Sequence, residues 1–263
     1  MKRFYMKRIS FIPILVIIIS FLAFKLSEDP VIVSFTADPK TQNIELFWKD
    51  DKGENLKSFQ NLKTYVESKQ QHLQFAMNGG MFNVDFSPKG LFIQKKNMIV
   101  PLDTSSGMGN FYLKPNGVFY LTTSNVPVVC QTSEFKFTGQ IKYATQSGPM
   151  LVINGCINPE FRKGSTNLNI RNGVGILPNS KIIFAISKKE ISFYEFAYFF
   201  KELGCKNALY LDGFVSRMYL PEKKTDPNRW KFWRYNRYNH SKIKPSAKLN
   251  LIQLGTKHQS ITE

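Results

Sequence analysis

The chain has 263 residues, 43% of them hydrophobic, so it can bury a sizeable core and is not a disordered protein. Its 36 basic and 19 acidic residues give a net charge of +17, which favours anionic partners: phosphate-bearing glycans, lipid headgroups or nucleic acid. Three scattered histidines and three cysteines without a CxxC motif argue against a zinc site, a redox site or a Ser-His-Asp triad. We therefore expect neither a metal nor another cofactor.

The N-terminus has the pattern of an export signal. Residues 1–8 are basic, and residues 9–24 are almost wholly apolar. This pattern predicts a signal peptide or membrane anchor in residues 1–28, followed by a domain at 29–263 that works in the periplasm or outside the cell. The domain is either released or held at the inner membrane by residues 9–24, and export argues against nucleic acid as a partner.

The first part of the domain is predicted to be a strand–helix–strand unit. Residues 31–36 and 43–49 are typical of strands, and residues 54–69 carry an apolar stripe at helical spacing. A further strand at 73–77 leads directly into Asn78-Gly79-Gly80.

A second unit repeats this layout later in the chain. An apolar strand at 181–187 precedes a helix that starts at a capping box on Ser192 and ends at Gly204. The strand at 207–211 then delivers Asp212-Gly213. The repeat is one of layout and not of sequence identity.

Between these units the pattern predicts β-hairpins. Leu91–Gln94 and Met98–Leu102 flank one turn, and Pro115-Asn116-Gly117 is a second turn signal between Phe111–Leu113 and Val118–Leu121. No Gly/Ser linker divides the chain. We therefore predict a single α+β domain with a mixed β-sheet, built from strand–helix–strand units and hairpins.

Four Gly-marked loops are the candidate site, because ligands usually bind at the ends of strands in α/β sheets. They are Asn78-Gly79-Gly80, Gln146-Ser147-Gly148-Pro149, Arg171-Asn172-Gly173 and Asp212-Gly213. Their glycines allow positive φ and close approach of a ligand to backbone N–H groups, although each loop could also be a plain turn.

The side chains of these loops suggest different roles. Asp212 is catalytic, a metal ligand or a helix N-cap. Arg171 has the donor geometry for phosphate, or is a surface arginine beside a turn. Ser147 lacks a Gly-x-Ser-x-Gly context, which favours a hydrogen-bonding role over a nucleophilic one. Asp85, Asp103 and Glu160 are candidates for a second carboxylate, and the sequence does not rank them.

Residues 223–248 are rich in basic and aromatic side chains, and a strand is predicted at Leu249–Leu254. The basic aromatic segment suits a glycan site, anionic headgroups or single-stranded nucleic acid, or is a solvated loop.

Together the loops resemble the phosphodiester glycosidase family, most closely a bacterial exported branch related to the uncovering enzyme of the mannose 6-phosphate pathway. The matching stretch runs from Phe75 to Tyr219. The motifs are Asn78-Gly-Gly-Met-Phe82, Gly90-Leu91, Lys114-Pro-Asn-Gly117, Gln146-Ser-Gly-Pro-Met-Leu151, Ile170-Arg-Asn-Gly-Val-Gly175 and Leu209-Tyr-Leu-Asp-Gly213. One departure is Asn158, which stands where the bacterial branch often has a histidine.

The resemblance implies a hydrolase that cleaves a sugar-1-phosphodiester in envelope or capsule glycans, with a phosphate-containing glycan as substrate. Asp212 acts at the anomeric centre or on the attacking water, and Arg171 holds the phosphate. The predicted substrate-binding residues are Asn78, Gly79, Gly80, Gln146, Ser147, Asn172 and Gly213. The alternative is a non-catalytic envelope protein that binds anionic glycan through residues 229–238.

Overall fold

The computed structural model describes residues 30–212, 216–221 and 253–259. Contacts divide the chain into Met1–Val31 and Ile32–Glu263, and the helices and strands below belong to the second unit. The predicted signal segment, Gly213 and the basic aromatic segment lie outside the described residues. Within the described ranges, no helix has the length and apolar character needed to span a membrane.

The elements alternate strands with two helices of ten residues each. In chain order they are β1 (Ile32–Ala37), β2 (Asn43–Phe47), α1 (Phe59–Ser68), β3 (Gln71–Asn78), β4 (Phe92–Gln94), β5 (Asn97–Val100), β6 (Gly117–Thr122), β7 (Pro127–Gln131), β8 (Ile141–Ser147), β9 (Met150–Ile153), β10 (Cys156–Ile157), β11 (Asn172–Ile176), β12 (Ile182–Ser187), α2 (Phe193–Glu202), β13 (Ala208–Asp212), β14 (Met218–Tyr219) and β15 (Gln253–Gln259).

The strands form three sheets. The first has the order β1-β12-β11-β13-β9-β10, the second β14-β3-β15-β2, and the third β5-β4-β8-β6-β7. The α+β class and the single domain are confirmed. The pairings among the described strands are antiparallel, so the expected mixed sheet is replaced by three antiparallel ones.

Both predicted strand–helix–strand units are present, and both are split by an inserted strand. In the unit β2–α1–β3, strand β15 pairs with both β2 and β3. In the unit β12–α2–β13, strand β11 pairs with both β12 and β13. The two strands of each unit therefore run parallel to each other, although neither pair is hydrogen-bonded directly.

One core connects the three sheets. Phe184 on β12 packs against Phe75 on β3, with ring centroids 5.1 Å apart, and against Phe119 on β6, with centroids 6.1 Å apart. A second cluster lies between the first sheet and α2, where Phe196 and Phe200 are fully buried. The ends of β3, β8 and β13 are fixed relative to one another by this packing.

The hairpin predictions have different outcomes. The turn between β4 and β5 is confirmed, with Lys95 and Lys96 both at positive φ. The turn predicted at Pro115-Asn116-Gly117 is wrong: Asn116 is buried and donates to the Phe111 carbonyl oxygen at 3.3 Å. The predicted strand Phe111–Leu113 is also wrong, since Asn110–Tyr112 is a 3-10 turn, and β6 forms its hairpin with β7.

Candidate active site

Asp212 is the last residue of β13, at the end of the strand–helix–strand unit that carries α2. Its side chain is nearly buried, with 6% of the residue exposed. Its backbone N–H donates to the Asn172 amide oxygen at 2.6 Å, and the Ser216 hydroxyl donates to its carbonyl oxygen at 2.6 Å. The helix N-cap interpretation finds no support in residues 216–219, which are loop and strand.

Asn78, at the end of β3, links this carboxylate to the second sheet. Its amide nitrogen donates to the Asp212 Oδ2 atom at 3.4 Å, and its amide oxygen accepts from the Arg217 backbone N–H at 2.9 Å. The Asn172 amide nitrogen donates to the Asn78 carbonyl oxygen at 3.3 Å. The predicted convergence of Asn78, Asn172 and Asp212 is therefore observed as one buried network.

Gly79 and Gly80 follow Asn78 and are buried. The described glycines at positive φ do not include either of them, so neither uses the left-handed backbone that glycine allows. Gly173 serves packing: a Cβ there would lie 2.8 Å from the Leu209 carbonyl oxygen and 3.1 Å from the Phe196 ring. This glycine lets β11, β13 and α2 approach one another closely.

Ser147 joins the third sheet to the strand that carries Asp212. Its hydroxyl donates to the Leu211 carbonyl oxygen at 2.7 Å, and Ser147 itself is fully buried. A carbonyl oxygen is not a general base, so this hydrogen bond does not activate the hydroxyl as a nucleophile. The hydroxyl therefore joins two strands, and its predicted contact with sugar or phosphate stays a prediction.

Gln146 faces away from this network and holds a loop. Its amide oxygen accepts from the backbone N–H groups of Leu91 and Asp103, each at 2.9 Å. Its amide nitrogen donates to the Asp103 carbonyl oxygen at 2.6 Å. Because these backbone groups occupy the amide, Gln146 has the contacts of a positioning residue, and its predicted contact with substrate stays a prediction.

Arg171 is fully buried, contrary to the surface alternative. Its guanidinium carbon lies 3.6 Å from the ring centroid of Phe193, and Nε and Nη2 donate at 2.8 Å to the carbonyl oxygens of Ile191 and Asn167. It forms no ion pair with any carboxylate of the described residues. Burial lowers the pKa of Arg171, while the nearby Tyr210 and Glu195 oppose that shift.

Tyr210 and Asn110 are neighbours of the site that the sequence did not indicate. Tyr210 lies two residues before Asp212 on β13, but the register with β11 shifts between them: Gly173 pairs with Tyr210, and the adjacent Asn172 pairs with Asp212. Burial raises the pKa of Tyr210 above its ordinary value; Arg171 opposes the rise, Asp212 adds to it, and the Asn110 side chain also opposes it. Tyr210 is therefore close to the guanidinium, whose carbon lies 5.6 Å from its ring centroid. Its place in the motif Leu209-Tyr-Leu-Asp-Gly213 is the signal that could have found it.

The three candidates for a second carboxylate do not join the site. Asp85 and Asp103 each accept hydrogen bonds from a serine two residues on, at Ser87 and Ser105. Those bonds are the main cause that lowers the pKa of both carboxyl groups, so both are ionised and neither is suited to donate a proton. Glu160 is exposed.

A metal centre is not formed by the described residues, among which no three His, Cys, Asp or Glu side chains are grouped to hold an ion. Asn158 is fully buried and donates to the Met150 carbonyl oxygen at 2.9 Å. It thus stabilises the backbone of β9 and β10 at the position where a histidine was expected.

Among the described residues, the site therefore combines one carboxylate, held by buried amides, with a buried arginine that forms no ion pair with a carboxylate. The chain belongs to the phosphodiester glycosidase family, which matches residues 71–240, more than half of its length. That stretch includes all the site residues from Asn78 to Asp212.

Two relatives show how this membership extends over the chain. The uncharacterized protein YigE of Escherichia coli (strain K12) is 37% identical over 196 residues, which are 73% of this chain and 76% of YigE. The zebrafish N-acetylglucosamine-1-phosphodiester alpha-N-acetylglucosaminidase catalytic domain, auto-inhibited by its pro-peptide, has a similar fold, with a TM-score of 0.53 and 14% identity. That similarity covers 88% of this chain and 85% of the zebrafish chain, and it concerns the fold.

Proposed function

We propose that the protein is an extracytoplasmic hydrolase that cleaves the bond between a sugar anomeric carbon and a phosphodiester oxygen in envelope or capsule glycans. The observation that carries this proposal is the buried network in which Asn78 and Asn172 hold Asp212, together with the adjacent buried Arg171, which forms no ion pair with a carboxylate of the described residues. Family membership supports it, and the zebrafish enzyme of similar fold is named for a phosphodiester substrate.

The reaction needs only one carboxylate. The C1–O bond breaks, its electron pair leaves with the phosphate, and water supplies the oxygen of the free sugar. A phosphate monoester is a weakly basic leaving group, so it departs without an acid to protonate it, unlike the alcohol of an ordinary glycoside. This agrees with the ionised state of Asp85 and Asp103.

In this proposal Asp212 stabilises the positive charge that develops at the anomeric carbon, or orients the attacking water. Asn78 and Asn172 hold the carboxylate in place through the hydrogen bonds at its side chain and backbone. Arg171 holds the leaving phosphate. Asn78, Gly79, Gly80, Asn172 and Gly213 are proposed to position the sugar and phosphate oxygens.

The cellular setting is also a proposal. The basic and apolar pattern of residues 1–24 supports export, with residues 9–24 removed or kept as an anchor in the inner membrane. The net charge of +17 supports an anionic glycan as substrate. Export separates the protein from most nucleic acid.

The test is hydrolysis of synthetic sugar-1-(methyl phosphodiesters), including the α-N-acetylglucosamine compound, by the full-length protein in H₂¹⁸O. We expect free sugar carrying ¹⁸O at C1 and unlabelled methyl phosphate, since the C–O bond is cleaved. Label in the phosphate would mean P–O cleavage and would contradict the proposal, as would the absence of any product across the sugars tested.

Substitutions test the roles proposed for the two charged residues. Asp212→Asn should reduce kcat by roughly 10³-fold, and Arg171→Lys should reduce kcat/KM by about 10²-fold, because lysine cannot reproduce the fork of donors. The matched control is Asp38→Asn, a half-buried acid that pairs with Lys181 at 3.5 Å and should leave turnover unchanged. Equal activity of Asp212→Asn and wild type would refute the assignment.

A further inference from the structure

Tyr210 has the placement of a ligand-binding residue, although its sequence position did not indicate this and the roles proposed above do not include it. It is fully buried on β13, and its ring packs edge-on against Phe193 at 4.9 Å between centroids. Phe193 in turn lies under the Arg171 guanidinium. The Arg171 guanidinium carbon is 5.6 Å from the Tyr210 ring centroid. The Phe193 ring therefore packs against both the guanidinium and the Tyr210 ring.

Two polar atoms in this place are poorly paired by the described residues. The Tyr210 hydroxyl and the Arg171 Nη1 atom are both buried, and neither makes a hydrogen bond of good geometry with a described residue, although the Arg171 and Asn110 side chains lie near the hydroxyl. Buried polar groups in folded proteins are nearly always hydrogen-bonded, because leaving one unpaired is costly. Two such atoms on adjacent side chains indicate that the fold keeps donors available here.

The chemistry of the two atoms selects an anion. Arg171 carries a positive charge that no carboxylate of the described residues offsets by an ion pair, and a buried cation of this kind is strongly disfavoured until an anion binds. The raised pKa of Tyr210 keeps its hydroxyl protonated and able to donate. Both groups are therefore hydrogen-bond donors, and an anionic oxygen is the acceptor that suits both.

We propose that the Tyr210 hydroxyl and the Arg171 Nη1 atom together form a subsite for a phosphoryl group, each donating to one of its oxygens. This rests on the proposed function and assigns to it a second phosphate-binding residue. A phosphoryl group offers several oxygens to donors arriving from different directions. The subsite lies on β13, the strand that ends at Asp212, the carboxylate proposed to act on the sugar.

The test compares wild type with Tyr210→Phe in the full-length protein, using inorganic phosphate, a sugar 1-phosphate and the neutral sugar as probes. Because the buried hydroxyl makes no hydrogen bond of good geometry, its removal should leave the melting temperature without ligand unchanged or raised. The affinity for inorganic phosphate, measured by calorimetry, should fall between about 10-fold and about 100-fold, as for the loss of a hydrogen bond to a charged group. The neutral sugar should bind both proteins equally.

Tyr143→Phe is the matched control. Tyr143 is also buried, but its hydroxyl interacts with the Glu45 carboxylate, so this variant should lower the melting temperature and leave phosphate affinity unchanged. Wild type that does not bind phosphate, or Tyr210→Phe that binds it as tightly as wild type, overturns the inference. Phosphate binding that depends on Tyr210 without cleavage of any phosphodiester would instead refute the proposed function and leave the subsite in place.

Discussion

At the scale of single residues, the hydrogen bond between the Ser147 hydroxyl and the Leu211 carbonyl oxygen separates a structural role from a catalytic one. We expect Ser147→Ala to cost about 1–3 kcal/mol of unfolding free energy, because a buried acceptor loses its donor. Its kcat should stay within about tenfold of wild type, whereas a nucleophile would lose roughly 10³-fold or more. Steady-state kinetics and intact-mass spectrometry during turnover test this prediction, and a sugar adduct on Ser147 would contradict it.

The close approach at Gly173 gives a second prediction at this scale. A methyl group there meets the Leu209 carbonyl oxygen at 2.8 Å and the side chains of Leu151 and Phe196 at 3.1 Å. We expect Gly173→Ala to lower the free energy of unfolding by about 1–3 kcal/mol through overpacking. Gly139→Ala is the control, since nothing lies within 4 Å of its Cβ position. Equal denaturation midpoints for the two variants would show that the first sheet accommodates a methyl group at Gly173 without loss of stability.

At the scale of elements, the N-terminus of α2 supports the arginine. Ser192 caps this helix, the Ile191 carbonyl oxygen accepts from Arg171 Nε, and the Phe193 ring stacks on the guanidinium. Ser58 caps α1 in the same way, accepting from the Asn61 N–H at 3.1 Å. Both Ser192→Ala and Ser58→Ala should lose about 1 kcal/mol of stability.

Only the α2 variant should affect catalysis. We expect Ser192→Ala to raise KM roughly threefold to tenfold by loosening the groups around Arg171, while Ser58→Ala leaves KM unchanged. Denaturation curves and steady-state kinetics on the same preparations test this. A KM change in both variants would indicate a general effect of stability.

The same elements show what the sequence could predict. Periodicity and caps located both helices and the strands that end at Asn78 and Asp212, because these signals are local. The three-sheet arrangement depends on β11 and β15. Each of them inserts between the two strands of one strand–helix–strand unit. The contacts of Gln146 were equally out of reach, since its partners Leu91 and Asp103 are 55 and 43 positions away.

At the scale of the whole molecule, the charge of +17 predicts how salt acts on different substrates. We expect kcat/KM for a polymeric phosphodiester glycan to fall about tenfold between about 50 mM and about 200 mM salt, because many exposed charges contribute and are screened. A small substrate with one phosphate should change less than about twofold, since it depends on buried Arg171. Parallel salt dependence for both would contradict a role for the basic surface.

The pairing of β15 between β2 and β3 has a consequence for how the protein folds. Gln253 on β15 lies opposite Asn78, and Asn78 and Asp212 are themselves 134 positions apart. Forming such contacts requires closure of long loops, which slows folding and leaves the facing edges of β2 and β3 unpaired until β15 arrives. During synthesis the carboxylate network cannot form before nearly all of the chain has emerged. Catalytic competence should therefore be the last property the chain acquires, well after its hydrophobic collapse.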